Sequence, residues 1–153
     1  LKVMGLKISP RLLEIVNALP LSEGIRVLEI GCGPGAMARE ISTRIGNGHI
    51  LAIDRSVKAI QKAISVSQNE MESGKLSYRQ VAIEKLELDS NEKPFDIAVA
   101  VRVGALDGRH PEIETQALSN IAKALNESGK LFIDDGNPLK EIPLEVRRIY
   151  DTH

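Results

Sequence analysis

The chain has 153 residues, which is enough for one domain with a buried core. Its 20 Lys and Arg against 21 Asp and Glu give a net charge of -1, which excludes an overall basic field for nucleic acid or an anionic membrane. The longest apolar runs are far shorter than the ~20 residues of a membrane span, no signal-peptide pattern stands at the N-terminus, and the single cysteine, Cys32, excludes an intrachain disulfide. These features predict a cytoplasmic protein with no membrane partner. With two Tyr, two Phe and no Trp to stack on bases, they also disfavour nucleic acid as a partner.

Short strand-like runs alternate with longer helix-like stretches along the chain, a pattern typical of repeated strand-helix units. A leading helix is predicted first, because Ser9 can cap it, Pro10 suits its first turn and Pro20 ends it. The pattern then predicts, in chain order, strand 26–31, helix 34–45, strand 49–54, a helix capped by Ser56 that extends to Gly74, strand 76–83, strand 95–103, helix 111–127 and strand 130–134.

The strand that begins at Phe95 is almost wholly apolar, as expected for a central parallel strand covered on both faces. Parallel strands joined by right-handed crossovers form an open, mostly parallel, doubly wound α/β sheet, in which ligands bind outside the carboxyl ends of the strands. We therefore expect a single domain over 1–153 with about five strands. It would comprise a leading helix over 1–22, a strand-helix core over 23–137 and a helical tail over 138–153.

The segment RVLEIGCGPGAMARE, residues 26–40, places three glycines within five positions between a strand and a helix. A tight turn without a ligand needs fewer glycines, because each one costs conformational entropy, so close approach of a ligand to the backbone is the better explanation. Gly31, Gly33 and Ala36 also fit the dinucleotide pattern G-x-G-x-x-G/A, and Asp54 follows 18 residues after Ala36. The glycines alone leave two ligands open, a nicotinamide dinucleotide and a sulfonium cofactor.

Glu29, two residues before the first glycine, helps to separate these ligands. A dinucleotide places a pyrophosphate over the helix N-terminus, where a nearby carboxylate would repel it, whereas a sulfonium ligand with an ammonium group would gain from the acid. The alternative is that Glu29 points to solvent or to a neighbouring arginine. Asp54 suits both ligands, since a carboxylate can accept hydrogen bonds from two ribose hydroxyls. The alternative interpretation of Asp54 is a helix-capping or surface acid without a ligand.

These residues resemble the class I S-adenosylmethionine-dependent methyltransferases. VLEIGCGPG is similar to their first motif, E/D-x-G-x-G-x-G, and AID, which ends at Asp54, resembles the strand that carries their ribose-binding acid. FDIAVAV is similar to their fourth strand, and LNESGKLFID resembles the turn and the fifth strand, in the expected order over 26–134. The resemblance implies a Rossmann-like methyltransferase that binds S-adenosylmethionine and methylates a small-molecule acceptor.

The resemblance also implies which residues bind the cofactor. The glycine loop would surround the methionine part, Glu29 would support its amino group and Asp54 would hold the ribose. Cys32 stands where a small side chain is wanted and needs no chemistry of its own. The full cofactor-binding set is Glu29, Gly31, Cys32, Gly33, Gly35, Asp54, Arg55, Ala82, Ile83, Val101 and Arg102.

The chain departs from the family pattern at three places. Many members have Asp-Ala after the third strand, where this chain has Ala82 and Ile83, so adenine would be recognised by the backbone N–H of Ile83 or by Glu84. Ser128 replaces a glycine in the turn before the fifth strand. Nothing after Asp135 resembles the antiparallel sixth and seventh strands, so we expect the sheet edge to be covered by the helical tail, by a second copy of the chain or by a segment of a longer protein.

The methyl acceptor is expected at the loop 101–112, which follows the fourth strand and contains two glycines and a proline. Arg102, Asp107 and His110 could orient or deprotonate a substrate hydroxyl or amine, although Asp107 and His110 also suit loop and capping positions. Methyl transfer from a sulfonium begins with an activated leaving group, so positioning can suffice, and no catalytic residue is assigned. The loop lacks the Asn/Asp-Pro-Pro-Tyr/Phe motif of members that act on nucleobases, which disfavours that substrate class.

Two other functions remain open from the sequence. A nicotinamide-dependent oxidoreductase is disfavoured by Glu29 and by the absence of a Tyr-x-x-x-Lys pair. A non-catalytic cofactor-binding or interaction module would account for the missing terminal strands. Three dispersed histidines and one cysteine have no metal-site spacing, so no metal is expected.

Overall fold

The computed structural model describes residues 7–144. Strands and helices alternate as the periodicity predicts, and no helix in this part of the chain has the length and apolar content needed to cross a membrane. The elements, in order, are α1 (Pro10–Ala18), β1 (Arg26–Ile30), α2 (Ala36–Ser42), β2 (His49–Asp54), α3 (Val57–Val66), α4 (Gln68–Glu72), β3 (Leu76–Gln80), a 3-10 turn (Ile83–Lys85), β4 (Phe95–Ala100), α5 (Pro111–Ala124), β5 (Leu125–Ile133) and β6 (Lys140–Ile142).

Within the described residues the strands form one mixed sheet in the order β3-β2-β1-β4-β5-β6. The first five strands are parallel, and β6 alone runs antiparallel to its neighbour β5. The chain therefore proceeds outward from β1 to β3 and then returns to β4 on the other side of β1. This reversal opens a crevice at the carboxyl ends of β1 and β4, where ligands bind in open α/β sheets. The predicted α/β class is confirmed.

The sheet separates two apolar layers, as alternation along the strands requires. Leu28 and Ile30 pack with α5 and the 3-10 turn, and Val27, which precedes them and faces the other side of the sheet, packs with α1 and α2. Strand β1 is thus buried on both faces, and its register places Glu29 between Ala52 of β2 and Val99 of β4. The acid of the first motif therefore lies on one of the two central strands of the sheet within the described residues.

The predicted helix caps are present, but the helix expected up to Gly74 is interrupted. Ser9 Oγ accepts a hydrogen bond from the Leu12 amide and Ser56 Oγ accepts one from the Ala59 amide, at 3.2 and 3.1 Å. The interruption occurs at Ser67, which is fully buried and whose hydroxyl lies 2.8 Å from the Tyr78 hydroxyl. Two helices, α3 and α4, replace the single predicted one because this residue turns inward to meet β3.

The end of the described chain corrects the sequence prediction. Residues Lys140–Ile142 form an antiparallel strand on β5, with Phe132 opposite Glu141, so the sheet has six strands there rather than about five, and its β5 edge is covered by the chain itself. The expected helical tail over 138–153 is therefore wrong for residues 140–142; residues 145–153 lie outside the described part. The chain reverses direction in a close turn at Gly136. Only glycine fits there, because a Cβ would lie 2.7 Å from the Leu139 carbonyl oxygen. Three residues with one apolar side chain are too short for strand periodicity to reveal.

Candidate active site

A cleft of about 760 Å³ lies at the carboxyl ends of β1, β2 and β4. It is bordered by the glycine loop after β1, the end of β2, the segment after β3, the loop between β4 and α5, and the start of α1. Ten of the eleven residues predicted to bind a cofactor line this cleft, and Gly35 is the exception. The sequence motifs, which are distant along the chain, are thus brought together in one concave site.

The glycine loop brings backbone rather than side chains to the cleft. Gly31, Gly33 and Gly35 have φ of 76°, 53° and 87°, values that L side chains rarely adopt. The amides of Gly31 and Cys32 both donate to the carbonyl oxygen of Ile53 at 2.9 Å, which ties the loop to β2. A Cβ on Gly33 would meet no atom within 4 Å, so the space beside this residue is open to a ligand.

Gly35 has a different role from the other two glycines of the loop. It precedes the first residue of α2, and a Cβ there would contact the Tyr78 hydroxyl and lie 3.3 Å from the Ala63 Cβ. The residue therefore permits the helix to pack against β3 and α3. Position 35 therefore needs a glycine for the packing of α2, and the residue does not itself line the cleft.

Glu29 is a buried acid at the floor of the cleft. Its side chain is 2% exposed, and within residues 7–144 its Oε1 has no hydrogen-bond partner. Burial, and to a lesser extent the negative charge of Asp54, raises the pKa of Glu29 to about 8. Neither alternative from the sequence holds, because the carboxyl group neither points to solvent nor pairs with an arginine in this part of the chain. If the Glu29 carboxyl group ionises, no cation among residues 7–144 pairs with it to compensate the buried negative charge.

Asp54 holds the glycine loop and the start of α3. Its Oδ2 accepts a hydrogen bond from the Gly33 amide and its Oδ1 accepts one from the Ser56 amide, both at 2.8 Å. Each carboxylate oxygen can accept two hydrogen bonds, so one site on each oxygen remains for a ligand hydroxyl. The sequence predicted a ligand role for Asp54 with a capping acid as the alternative; the contact with the Ser56 amide at the start of α3 is of this second kind, and the contact with Gly33 was not predicted.

The cysteine of the loop does not supply a nucleophile. Cys32 is 6% exposed, and burial followed by the charge of Glu29 raises the pKa of its thiol above the usual range. Since the thiolate is the reactive form, a buried thiol between two carboxyl groups is inert. Its small side chain packs in the apolar layer with residues of α1 and α2.

The segment after β3 forms the side of the cleft expected to receive adenine. Ala82, Ile83 and Glu84 line the cleft, and Ile83 begins the 3-10 turn, where an amide N–H has no partner within the turn. The Ile83 carbonyl accepts a hydrogen bond of 2.9 Å from Nδ2 of Asn120, a buried residue of α5. The sequence analysis did not identify Asn120 as a residue that supports the cleft. The signal that could have done so is its position as a polar residue on the apolar face of α5.

The loop after β4 forms the opposite end of the cleft. Arg102 has φ 56°, a left-handed conformation that is uncommon for a residue other than glycine. Its amide donates to Asp134 Oδ1 at 3.2 Å, and its carbonyl accepts a hydrogen bond of 3.0 Å from Arg109. Asp134 also accepts a hydrogen bond of 2.8 Å from Arg11 of α1 through Oδ2. The contacts of Asp134 with Arg11 and Arg102 were not predicted, since they join residues 123 and 32 positions apart in sequence. The contact of Arg109 with Arg102 lies within one loop and was not predicted either.

Of the three residues considered for the acceptor, Arg102 and His110 line the cleft and Asp107 does not. The Asp107 carboxylate accepts hydrogen bonds of 3.0 and 2.8 Å from the Arg109 guanidinium, which lowers the pKa of Asp107. A carboxylate so paired is a poor base. His110 lies beside the cleft, where a Cβ on Gly104 would be 2.5 Å from its ring, and its Nδ1 is 3.4 Å from Glu112. The absence of a side chain at Gly104 makes room for the imidazole.

The fold and the cleft are those of a Rossmann-like methyltransferase, and residues 21–152 match the family described as "Methyltransferase domain". The chain belongs to this family. It is 32% identical over 131 residues to an O-methyltransferase of Pyrenophora dematioidea, an alignment that covers 82% of this chain and 46% of the relative. It is 28% identical over 125 residues to the mitochondrial ubiquinone biosynthesis O-methyltransferase of Dictyostelium discoideum, covering 78% of this chain and 37% of the relative.

A solved structure with the same fold is phosphoethanolamine N-methyltransferase 1 of Haemonchus contortus, in complex with phosphoethanolamine and S-adenosylhomocysteine. The TM-score is 0.66 at 21% identity, and the match covers 80% of this chain and 24% of that one. The present chain thus spans less than half the length of these relatives.

Proposed function

We propose that this chain binds S-adenosylmethionine in the cleft and transfers its methyl group to a small-molecule acceptor. The observation that carries the proposal is the buried Oε1 of Glu29, which has no partner within residues 7–144 although the residue lines the cleft. Ionising a buried carboxyl group is unfavourable unless a cation compensates it. The ammonium group of the cofactor's methionine part is such a cation, and the open space beside Gly33 gives it access.

The remaining parts of the cofactor would be held by residues around the same cleft. The unused hydrogen-bonding capacity of Asp54 suits two ribose hydroxyls. The amide of Ile83, at the start of its 3-10 turn, suits an acceptor nitrogen of adenine, with Ala82 leaving room for the ring. Arg55, Val101 and Arg102 border these positions. The relatives named O-methyltransferases, and the neighbour solved with S-adenosylhomocysteine, support this assignment.

Bound S-adenosylmethionine supplies a methyl group activated on a sulfonium, so the chain's own task is to position the acceptor. Val103 contacts the glycine loop, since a Cβ on Gly31 would lie 2.8 Å from its Cγ2. The acceptor end of the cleft is therefore adjacent to the cofactor end. An acceptor hydroxyl must lose its proton during the transfer, and the His110 imidazole, which lines this end, offers a ring nitrogen as the general base.

A nicotinamide dinucleotide is a poorer candidate for the same cleft. Its pyrophosphate would approach the start of α2, close to a carboxyl group that has no compensating cation within the described residues. A second copy of the chain as partner and a cytoplasmic location stay predictions of the sequence.

Calorimetric titration of the 153-residue chain with S-adenosylmethionine, S-adenosylhomocysteine and NAD tests the proposal. We expect the first two to bind and NAD not to bind. Glu29→Gln keeps the shape of the side chain and removes its charge, and it should weaken S-adenosylhomocysteine binding by about 1.5–3 kcal/mol, the range for hydrogen bonds to charged groups. Glu72→Gln, on the exposed end of α4, is the matched control. Preference for NAD, or equal affinity of the two variants, would contradict the proposal.

A further inference from the structure

The two ends of the cleft carry charges of opposite sign. The cofactor end is lined by the acids Glu29, Asp54 and Glu84 and by one base, Arg55, so acids outnumber bases there. The acceptor end is lined by three arginines, Arg11 from α1 and Arg102 and Arg109 from the loop after β4. Electrostatic complementarity then favours a cationic ligand group at the acidic end and an anionic ligand group at the basic end.

Two of these arginines pair with acids that are not part of the cleft lining. Arg11 pairs with Asp134 and Arg109 pairs with Asp107, each at 2.8 Å, and neither aspartate lines the cleft. A guanidinium has five N–H donors, so each arginine keeps donors for a ligand after these contacts. The partly exposed ion pairs add little stability, but they restrict where the guanidinium groups lie. The surface that faces a ligand is therefore basic.

Arg102 is the third arginine and has no acid on its side chain within residues 7–144. Within residues 7–144 its hydrogen bonds involve only its amide, which donates to Asp134, and its carbonyl, which accepts from Arg109. The left-handed backbone at φ 56° is held by these two contacts. Non-glycine residues in this conformation carry strain and are concentrated at functional sites. Three arginines against two aspartates leave one positive charge in excess at the acceptor end.

We propose that the methyl acceptor carries an anionic group, a carboxylate or a phosphate, that binds to Arg102 together with Arg11 and Arg109. This inference rests on the proposed function, since it concerns the second substrate of the same cleft. Arginine suits both anions because its planar N–H groups pair with two oxygens at once. The anion would occupy the arginine end of the cleft, and the atom to be methylated would lie toward Val103 and the glycine loop.

The test uses the 153-residue chain saturated with S-adenosylhomocysteine and labelled with 15N. Inorganic phosphate and acetate are titrated separately, with sodium chloride keeping the ionic strength constant, and the amide shifts of residues 101–110 are followed. We expect saturable shifts with at least one anion. Saturation by phosphate alone identifies a phosphate-bearing acceptor, and tighter binding of acetate identifies a carboxylate.

Three variants make the result specific to the arginine. Arg102→Gln keeps the backbone contacts with Asp134 and Arg109 and removes the charge, and it should weaken anion binding about tenfold, which corresponds to about 1.4 kcal/mol. Arg102→Lys should retain most of the affinity, and Lys58→Gln, exposed on α3, should retain all of it. The 15N spectrum of each variant shows whether it is folded.

The two proposals fail in different ways. If S-adenosylhomocysteine does not bind, the proposed function fails before any anion is added. If it binds but neither anion gives saturable shifts, or Arg102→Gln binds the anion as tightly as the parent chain, the inference of an anionic acceptor is wrong and the proposed function stands.

Discussion

The Gly33 amide donates a hydrogen bond of 2.8 Å to Asp54 Oδ2, which joins the glycine loop to the end of β2. The two residues are 21 positions apart in sequence, and both belong to the proposed cofactor site. The acid that would hold the ribose therefore also fixes the backbone that would contact the methionine part. Loss of this carboxylate should affect ligand binding and the resting structure together.

Asp54→Ala should therefore have two measurable effects. Cofactor binding should weaken by about 1.5–3 kcal/mol, because hydrogen bonds to a charged group are lost. The free energy of unfolding should also fall by about 1 kcal/mol, since the amides of Gly33 and Ser56 lose their acceptor, as when a helix cap is removed. Titration with S-adenosylhomocysteine and urea denaturation measure the two effects. Unchanged affinity would show that Asp54 is only a structural acid.

Glu29 predicts an unusual dependence of stability on pH. The pKa of its carboxyl group is 4.5 ordinarily and about 8 in the folded protein, so between these values the folded state binds more protons than the unfolded chain. The contribution of Glu29 to the free energy of unfolding should then fall as pH rises through this window, by at most about 1.4 kcal/mol per pH unit. Urea denaturation at several pH values should show a shallower decline for Glu29→Gln than for the parent chain. Parallel pH profiles would mean that Glu29 ionises normally in the fold.

Gly33 and Gly35, two residues apart, should respond differently to substitution by alanine. A Cβ at Gly33 points into open space at the cleft, so Gly33→Ala should mainly weaken ligand binding, with about 1 kcal/mol of backbone strain from its positive φ. A Cβ at Gly35 meets the Tyr78 hydroxyl, so Gly35→Ala should destabilise the fold by about 2–4 kcal/mol. Tyr78→Phe, which removes that hydroxyl, should recover part of the loss in the double variant. Equal effects of the two alanines on stability would contradict this distinction.

Asn120 should support the adenine side of the cleft from within α5. Asn120→Ala removes the donor to the Ile83 carbonyl, and the loss of a buried hydrogen bond should reduce the free energy of unfolding by about 1–3 kcal/mol. Gln116→Ala, on the exposed surface of the same helix, removes only the contact to Asn120 Oδ1 and should change stability by less than about 0.5 kcal/mol. Similar losses in the two variants, measured in urea, would show that the Ile83 contact is dispensable.

Much of the fold could be predicted because it depends on local periodicity and local turn chemistry. The caps at Ser9 and Ser56 follow from short-range patterns, and the five parallel strands follow from apolar runs. Periodicity did not predict β6, because its three residues are too few to show the alternation of apolar and polar side chains that is typical of a strand. It also failed at Ser67, where a long-range contact with Tyr78 interrupts a helix that the local pattern would continue.

The candidate site was predictable to the extent that its residues belong to motifs. Glu29 and Asp54 were predicted from their motifs to bind a ligand, whereas the burial of one and the loop contact of the other depend on β1 and β2 lying side by side. Asp134 and Arg11 were missed because 123 residues separate them, and no local pattern relates them. Long-range polar contacts of this kind are set by topology, which places distant side chains at the same sheet edge.

Asp134 has a consequence for any attempt to change which acceptor the cleft takes. Its two oxygens hold the Arg102 amide and the Arg11 guanidinium, so a single carboxylate at the end of β5 fixes two walls contributed by separate elements. Substitutions of Arg11 and Asp134 remove the same side-chain contact, so their effects should be coupled rather than additive. A change at Asp134 also removes the acceptor of the Arg102 amide, whereas a change of the Arg102 side chain leaves that contact in place. Directed evolution of specificity would therefore have to vary Arg11 and Asp134 together, whereas the Arg102 side chain can be varied alone because Asp134 holds only its backbone.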